Sequence, residues 1–259
     1  MKRLGILALV LIFIASLAGC GGSSSNVPAK KEEQKVLRVG TEPTFPPFEF
    51  VEEKTNEYVG FDMDLIKAVG KELGYKVEIQ SLGFDALIPA LEAGNIDVAA
   101  SGVTITEERA QKVVFTRSYY DAGLTIVVLK TDEKLKDFGD LDGKKIGVQI
   151  GTTGAMEASR IPNATVREYN TPNEAFLELK NGGVDAVIND RPVNEFFLRS
   201  GGSEYAKAVG QPRNAESYGF AVAKKNTELV SNIDKALDLL KKNGEYDRIY
   251  DKWFGAKAK

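Results

Sequence analysis

The chain has 259 residues but contains no histidine, one cysteine and one tryptophan. The missing histidines exclude Ser-His and Cys-His nucleophile pairs and, with a single cysteine, the usual zinc ligand sets. Any catalysis would therefore depend on carboxylates, lysine or tyrosine. A basic cluster is also missing, and 34 Lys and Arg against 37 Asp and Glu give a formal charge of −3. This balance argues against nucleic acid as a partner.

The longest apolar run lies at the amino terminus, after two cations. It covers residues 4–17, which is short for a membrane span of roughly 20 apolar residues, and small residues follow it. We interpret residues 1–19 as a secretory signal peptide. The stretch LAGC at 17–20 resembles a bacterial lipobox, so we predict that Cys20 is lipidated and becomes the mature N-terminus; the alternative is an ordinary signal peptide with an incidental cysteine. As the only cysteine, Cys20 has no disulfide partner within the chain.

Residues 20–35 are rich in glycine, serine and charge, with little apolar surface to build a core. We predict a flexible tether that lets an anchored domain move above a membrane. The globular part then extends from about residue 36 to residue 254, a length that suits one large domain or two lobes. Loss of the signal peptide removes Lys2 and Arg3 and changes the formal charge from −3 to −5.

Strands and helices alternate along the globular part. The first series predicts strands over 36–40, 75–80 and 96–100, and helices over 61–73 and 84–92. The second series predicts strands over 145–149 and 184–188, helices near 153–160 and 173–180, and two C-terminal helices over 227–241 and 245–253. Such alternation is typical of parallel βαβ units with helices on both faces of the sheet. Asp62 and Asp64 are interpreted as an N-cap and a first-turn acid of the first helix, without a ligand role.

One sequence pattern occurs twice. LEAGNID at 91–97 matches LKNGGVD at 179–185, and each reads as a helix end, a glycine turn and a strand that opens on aspartate. Extending the match places Ser101 and Gly102 opposite Asn189 and Asp190, at the carboxyl ends of equivalent strands. Ligands of open α/β sheets bind outside those ends, so two such lobes facing each other would place both pairs in one cleft.

The residues at these strand ends suit an amino-acid zwitterion. Gly102 and Thr104 offer backbone groups and a hydroxyl, and Arg109 lies just inside a predicted helix. Arginine binds a carboxylate in bidentate geometry, and Asp190 supplies a negative charge for an ammonium group. The alternative is a surface arginine and a helix-capping aspartate.

From about residue 36 to residue 255 the chain resembles the polar amino-acid-binding proteins of ABC importers, family 3 of the extracytoplasmic solute-binding proteins. The matching stretches are GTEPTFPPFEF, YVGFDMDLIKAV, FDALIPALEAGNIDVAASGVTITEER, KIGVQIGTTG, GGVDAVINDRPV and YDRIYDKWFG. The resemblance implies an α/β, two-lobed periplasmic-binding-protein fold of type II, each lobe a mixed, mostly parallel sheet flanked by helices. It implies lobe 1 at 36–123 and 218–259, lobe 2 at 124–217, and a two-strand hinge near 119–123 and 217–219.

The resemblance also assigns roles. Phe45 and Phe84 match aromatics that sandwich the ligand side chain. Without the resemblance, packing in the core is an equally good interpretation of both residues. Arg109 matches the carboxylate clamp, Asp190 the amino-group anchor, and Glu42 a position where relatives commonly carry an aspartate that contacts the distal side chain; the alternative for Glu42 is a solvated loop acid. The complete predicted ligand set is Glu42, Phe45, Phe84, Ser101, Gly102, Thr104, Arg109, Gln149, Thr153 and Asp190.

The charges in this set favour a basic ligand. A zwitterion would neutralise Arg109 and Asp190 and leave Glu42 facing the ligand side chain. A buried, unpaired carboxylate is unfavourable, so a guanidinium or ammonium partner is preferred over a neutral amide, although an amide can also donate to Glu42. The two phenylalanines would add cation–π contact to an arginine side chain. By resemblance, Gln149 stands where glutamine-specific relatives can carry lysine and arginine-binding relatives can carry glutamine.

The sequence therefore predicts a binding protein and not an enzyme. It would be a monomer without cofactor or metal, held by its lipid on the outer face of the cell membrane or in the periplasm. Lobe closure would capture an amino acid, with arginine favoured, for delivery to the membrane subunits of an ABC permease. The alternatives are a glutamine-specific binding protein, a cyclohexadienyl dehydratase-like enzyme with Glu42 as general acid, and a sensor domain, disfavoured because no signalling or membrane segment follows Phe254.

Overall fold

The computed structural model describes residues 35–255. The signal peptide at 1–19, the lipidation of Cys20 and the tether up to residue 34 lie outside the described residues. No helix within the described range has the length and apolarity that a membrane crossing requires.

Thirteen strands are found in the described range. In chain order they are β1 (Val36–Thr41), β2 (Thr44–Phe45), β3 (Glu49–Val51), β4 (Tyr58–Val59), β5 (Lys76–Ser81), β6 (Val98–Ala99), β7 (Val113–Phe115), β8 (Tyr120–Leu129), β9 (Lys145–Gln149), β10 (Thr165–Tyr169), β11 (Ala186–Asp190), β12 (Ala206–Tyr218) and β13 (Ala221–Ala223).

Eight α-helices cover these strands within the described residues. They are α1 (Phe61–Glu72), α2 (Leu87–Ala93), α3 (Glu107–Ala110), α4 (Thr153–Ala158), α5 (Pro172–Lys180), α6 (Arg191–Arg199), α7 (Thr227–Lys242) and α8 (Glu245–Phe254).

Two five-stranded mixed sheets define two lobes. The first lobe has the order β5-β1-β6-β13-β7, in which β1 is parallel to both its neighbours and β13 antiparallel to both of its own. The second lobe has the order β10-β9-β11-β8-β12, in which β9, β10 and β11 are parallel and β8 and β12 run antiparallel to their partners. Each sheet buries its own apolar cluster under flanking helices. The predicted two-lobed α/β fold is confirmed.

Two paired strands carry the chain between the lobes. β8 begins just after Tyr119, which packs in the first lobe, and β12 ends at Tyr218, just before the first-lobe strand β13. Their ends pair with each other, with Ser217 opposite Asp121 and Tyr218 opposite Tyr120. The lobes are therefore joined by an antiparallel ribbon, as the predicted two-strand hinge requires.

Long-range pairing moves several predicted boundaries. Only Val98 and Ala99 of the predicted strand 96–100 pair with β1, so β6 is shorter than expected. β11 is displaced toward its end because Asp190 still pairs with Leu124 of β8. The predicted helix over 84–92 opens as a 3-10 turn over 84–86 before α2 begins.

The N-cap residue of α1 is not the one that the sequence predicted. The N-cap is Gly60, at φ 131°, and not Asp62. A side chain at Gly60 would collide with the backbone of Phe48, so glycine occupies the cap and no side-chain capping bond forms. Asp62 is instead fully buried within the first turn.

Aromatic side chains of α8 close the first lobe beside the connecting ribbon. The Phe254 ring centroid lies 5.3 Å from that of Phe61 and 4.9 Å from that of Tyr120. The indole N–H of Trp253 donates to Asp64 at 2.8 Å. These rings therefore pack the C-terminal helix against the first lobe and the connecting ribbon.

Candidate functional site

A small cavity lies between the lobes, at the carboxyl ends of β6 and β11. Every residue of the predicted ligand set except Ser101 lines it. The lining residues outside that set are Glu49, Thr152 and Asn189, of which the internal repeat had placed only Asn189 in the cleft. The repeat-based alignment therefore located the cleft, while the additional residues come from segments that it did not cover or from neighbours of predicted ones.

The turn after β6 forms one wall. Gly102 adopts φ 52°, and its N–H donates to the buried Asp62 carboxylate at 2.9 Å. Asp62 also accepts from the Tyr119 hydroxyl at 2.6 Å. Because this N–H is bound by Asp62, it is not free for a ligand carboxylate. A ligand ammonium group only donates, so it would meet Gly102 through the carbonyl oxygen.

Ser101 stands behind this wall and supports it. Its hydroxyl accepts from the Glu42 N–H at 2.9 Å and donates to Glu49 Oε1 at 3.0 Å. The hydroxyl thus links two acids of the cavity and is not itself part of the cavity surface.

Hydrogen bonds and an aromatic ring fix the orientation of the Arg109 guanidinium group. Arg109 is the third residue of α3, whose N-cap Thr106 accepts from the Arg109 N–H at 3.2 Å. Arg109 as a whole is 5% exposed. Its guanidinium donates to the Thr104 carbonyl at 2.8 Å and, across the cleft, to the Gly151 carbonyl at 3.0 Å. It stands over the Phe84 ring at 5.4 Å from the centroid. Burial lowers the pKa of Arg109, but arginine remains charged at neutral pH.

Glu42 joins the two lobes through neutral donors. Gln149 Nε2 donates to Glu42 Oε2 at 3.1 Å and to the Asn170 carbonyl at 3.0 Å. The Thr44 hydroxyl lies 2.9 and 2.8 Å from the two Glu42 oxygens. Burial raises the pKa of Glu42, and the hydrogen bonds from Thr44 and Gln149 only partly oppose this shift. A cation beside Glu42 would favour its ionised form.

Asp190 ends β11 inside the cavity, and the Tyr218 hydroxyl donates a short hydrogen bond to it. Burial, followed by the negative charge of Glu216, raises the pKa of Asp190 to about 8. An ammonium group placed here would favour the charged carboxylate in the same way as at Glu42.

Glu49 lines the cavity but is not among the predicted ligand residues. It has no exposed surface, and within residues 35–255 its Oε2 meets no hydrogen-bond donor. Burial and the charge of Asp62 raise the pKa of Glu49 well above its usual range. The available signal was its place between Phe48 and Phe50, since an acid flanked by aromatics in a strand is unusual for a solvated position.

Acids outnumber cations around the cavity. Glu42, Glu49 and Asp190 line it against Arg109 alone, and Glu216 lies close behind. Within the described chain no group of three or more acids, cysteines or histidines is arranged to hold a metal ion. The electrostatics therefore suit an organic cation that also carries one negative group for Arg109.

The lobes touch each other around the cavity. In addition to the Gln149–Glu42 and Arg109–Gly151 bonds, Gly151 packs so close to Asp85 that a Cβ atom there would lie 3.1 Å from the Asp85 Cβ. The geometry is that of a closed cleft, in which a bound small molecule would contact both lobes.

Comparisons with known proteins agree with this geometry. Residues 37–256 match the family described as bacterial extracellular solute-binding proteins, family 3. The chain is 34% identical over 256 residues to a probable histidine-binding protein of Campylobacter jejuni. The matched region covers 98% of this chain and 99% of that protein. Two solved structures of an ancestral arginine-binding protein, one bound to arginine and one to glutamine, are each 47% identical, with TM-scores of 0.82 and 0.79. Each covers 85% of this chain and 98% of the solved chain.

Proposed function

Because the chain belongs to family 3 of the bacterial extracellular solute-binding proteins, we propose that it binds a basic amino acid, with arginine preferred. It is the solute-binding component of an amino-acid ABC transporter and works outside the cytoplasm. The ligand is handed to the membrane subunits of the permease. Lipidation of Cys20, anchoring through the tether at 20–35 and a monomeric state are parts of the same proposal.

The observation that carries the ligand assignment is the buried Glu42 carboxylate. In the proposed pose the ligand carboxylate meets Arg109 and its ammonium group meets Asp190. The side chain then passes between Phe45 and Phe84 toward Glu42, where Thr44 and Gln149 are neutral donors. A guanidinium supplies both the N–H donors and the positive charge that this carboxylate lacks.

Glutamine is the nearest alternative ligand. Its side-chain amide can donate to Glu42 but brings no charge, so the carboxylate would stay buried without a counter-ion. The ancestral arginine-binding protein has been solved with each of these ligands, which supports treating glutamine as a competitor of arginine. The proposed order of affinity is therefore arginine first and glutamine second.

An enzymatic role for the same cleft depends on the raised pKa of Glu42, which a general acid would need. The contacts of Glu42 argue against this role, since Thr44 and Gln149 both hold the carboxylate in its hydrogen-bond-accepting form. We propose that the protein is not an enzyme. Arogenate and prephenate that remain intact after incubation with the protein would agree with this, and turnover of either would contradict it.

Thermal unfolding of the refolded, ligand-stripped chain tests the ligand assignment. A ligand at 100 times its dissociation constant adds about 2.7 kcal/mol to the free energy of unfolding. We expect arginine to raise the midpoint most, lysine and ornithine less, and glutamine least. Glu42→Gln should reduce the arginine shift while leaving the glutamine shift nearly unchanged, because only the charged ligand loses an ion pair.

A matched control is Glu53→Gln, an exposed acid of the same lobe, which should behave as wild type. A shift with glutamine alone would overturn the arginine assignment and keep the family role. No shift with any amino acid would reject the binding role itself.

A further inference from the structure

Glu216 lies where the second connecting strand leaves the second lobe. It pairs with Ala122 of β8, and the strand register shifts between Arg213 and Glu216. Such an irregularity re-aims the side chain that follows it. The Glu216 side chain turns inward and is only 4% exposed, although its strand lies at the edge of the sheet.

The Glu216 carboxylate contacts one threonine from each lobe. Its Oε2 accepts from the Thr153 hydroxyl at 2.9 Å and from the Thr104 hydroxyl at 3.3 Å. Thr104 follows β6 in the first lobe, and Thr153 opens α4 in the second. The contact therefore spans the cleft at the base of the connecting ribbon.

Both threonines also line the ligand cavity, while Glu216 lies on their far side. A threonine hydroxyl has a single proton to donate. While both hydroxyls donate to Glu216, a ligand carboxylate between the lobes is left to Arg109 and to backbone N–H groups. Glu216 thus fixes the orientation of both threonines without entering the space of the ligand.

We propose that Glu216 is a positioning residue that ties Thr104 to Thr153 and thereby favours the closed cleft that holds the ligand carboxylate. The inference rests on the proposed function, because these two threonines matter to binding only if an amino-acid carboxylate sits beside them.

The charge of Glu216 also fits this position. Among the acids near Arg109, Glu216 does most to oppose the lowering of the Arg109 pKa by burial. Two hydroxyl donors converging on one oxygen suit a carboxylate better than an amide oxygen, since hydrogen bonds to an ionised acceptor are stronger. Glutamine at this position would keep the shape of the side chain but weaken both bonds.

Glu216 acts on the part of the cleft that meets the α-carboxylate and, through its charge beside Asp190, the α-ammonium group. All amino acids share both groups. Loss of Glu216 should therefore weaken binding of every amino-acid ligand by the same factor. This separates it from Glu42, whose loss is expected to act on basic ligands alone. The ratio of the arginine and glutamine dissociation constants is thus the diagnostic quantity.

The test compares the full chain with Glu216→Gln and Glu216→Ala by titration calorimetry with arginine and glutamine. We expect both dissociation constants to rise about tenfold or more, as for loss of a hydrogen bond to a charged group, with their ratio unchanged. Small-angle scattering of the variants should show a more open form at a given ligand concentration. The control is Glu204→Gln, an exposed acid of the second lobe. It should leave both affinities unchanged.

Unchanged affinities in both Glu216 variants would overturn the inference. Tighter binding would also overturn it, because Glu216 would then be competing with the ligand for the two hydroxyls. A change in the arginine-to-glutamine ratio would show that Glu216 acts on the ligand side chain instead. Near-ultraviolet circular dichroism separates misfolding from these outcomes. Failure of wild type to bind any amino acid would contradict the proposed function and this inference together, whereas wild-type binding that the variants retain would contradict the inference alone.

Discussion

Gly102 couples backbone conformation to the ligand pocket at a single residue. Its φ of 52° is unfavourable for other residues, and a Cβ atom would lie 3.1 Å from Cε1 of Phe45. We predict that Gly102→Ala lowers the free energy of unfolding by about 1 kcal/mol for the left-handed backbone and by about 1 kcal/mol more for the displaced ring. Because Phe45 is the proposed contact for the ligand side chain, affinity for arginine should fall as well.

Gly74 provides the matched control, since it has a similar φ of 73° with no atom within 4 Å of a built Cβ. Urea unfolding of Gly74→Ala should therefore show only the backbone part of the loss, and calorimetry should show an unchanged affinity. Equal losses of stability and affinity in the two variants would mean that the contact with Phe45 has no effect.

The site residues that could be predicted are those whose place in the cleft follows from the sequence immediately around them. Arg109 and Thr104 follow the end of β6, and Asp190 lies at the matching end of β11, so one internal repeat placed them together. Glu49 and Glu216 were missed because their burial comes from contacts with Ser101, Thr104 and Thr153, far away in the sequence. Their ligand roles, like those of the predicted set, stay predictions.

At the scale of single elements, α5 orients the second-lobe side of the cleft. Thr171 and Glu174 form a capping box at its start, and Pro172 occupies the first turn. Glu174 also accepts from the Asn170 N–H at 2.9 Å, and the Asn170 carbonyl holds Gln149. The cap therefore fixes both the helix and the loop that positions a predicted ligand residue.

We predict that Thr171→Ala lowers the free energy of unfolding by about 1 kcal/mol, as for loss of other N-cap side chains. Arginine affinity should change little, because Glu174 still holds Asn170. Urea unfolding and calorimetry measure the two quantities. Thr165→Ala, at an exposed position of β10, should stay within about 0.5 kcal/mol of wild type. A loss no larger than that of Thr165→Ala would mean that the cap contributes nothing.

Element boundaries were predictable where local signals end the element. β9 covers 145–149 as predicted. α5 begins one residue before its predicted start and ends at residue 180 as predicted, because a capping motif in the local sequence marks its start. α4 is two residues shorter than predicted and β6 is reduced to a two-residue pairing with β1. Those limits are set by strand pairing and packing across the sheet, which one-dimensional patterns do not contain.

At the scale of the whole molecule, the closed cleft buries several acids close together, and burial disfavours their ionised forms. Burial raises the pKa of Asp62 to about 7 and that of Asp190 to about 8, and it also raises the pKa of Glu42, Glu49 and Glu216. In unfolded chains these acids titrate near pH 4. Between about pH 4 and pH 8 the folded, ligand-free chain therefore holds more protons than the unfolded chain.

An acid whose pKa is raised in the folded state stabilises folding at low pH, and this contribution is lost as the pH rises through the folded-state pKa. The ligand-free chain should therefore lose stability as the pH rises from about 4 to about 8. Each proton held only by the folded state contributes a slope of about 1.4 kcal/mol per pH unit. Urea unfolding at pH 5, 6, 7 and 8 measures this slope. Asp190→Asn should flatten it and be relatively more stable at pH 8, whereas Glu168→Gln, at an exposed position of β10, should leave it unchanged.

Arginine should reverse part of this trend. Its ammonium and guanidinium groups would favour the ionised forms of Asp190 and Glu42, so binding releases protons and arginine stabilises the chain more at pH 8 than at pH 5. Calorimetry in buffers of different ionisation enthalpy counts the protons released. Glutamine should release fewer, because it carries only the ammonium charge. Equal proton release by the two ligands would show that Glu42 does not meet the side chain of arginine, and a ligand-free stability that rises from pH 5 to pH 8 would show that the cleft acids are ionised without a ligand.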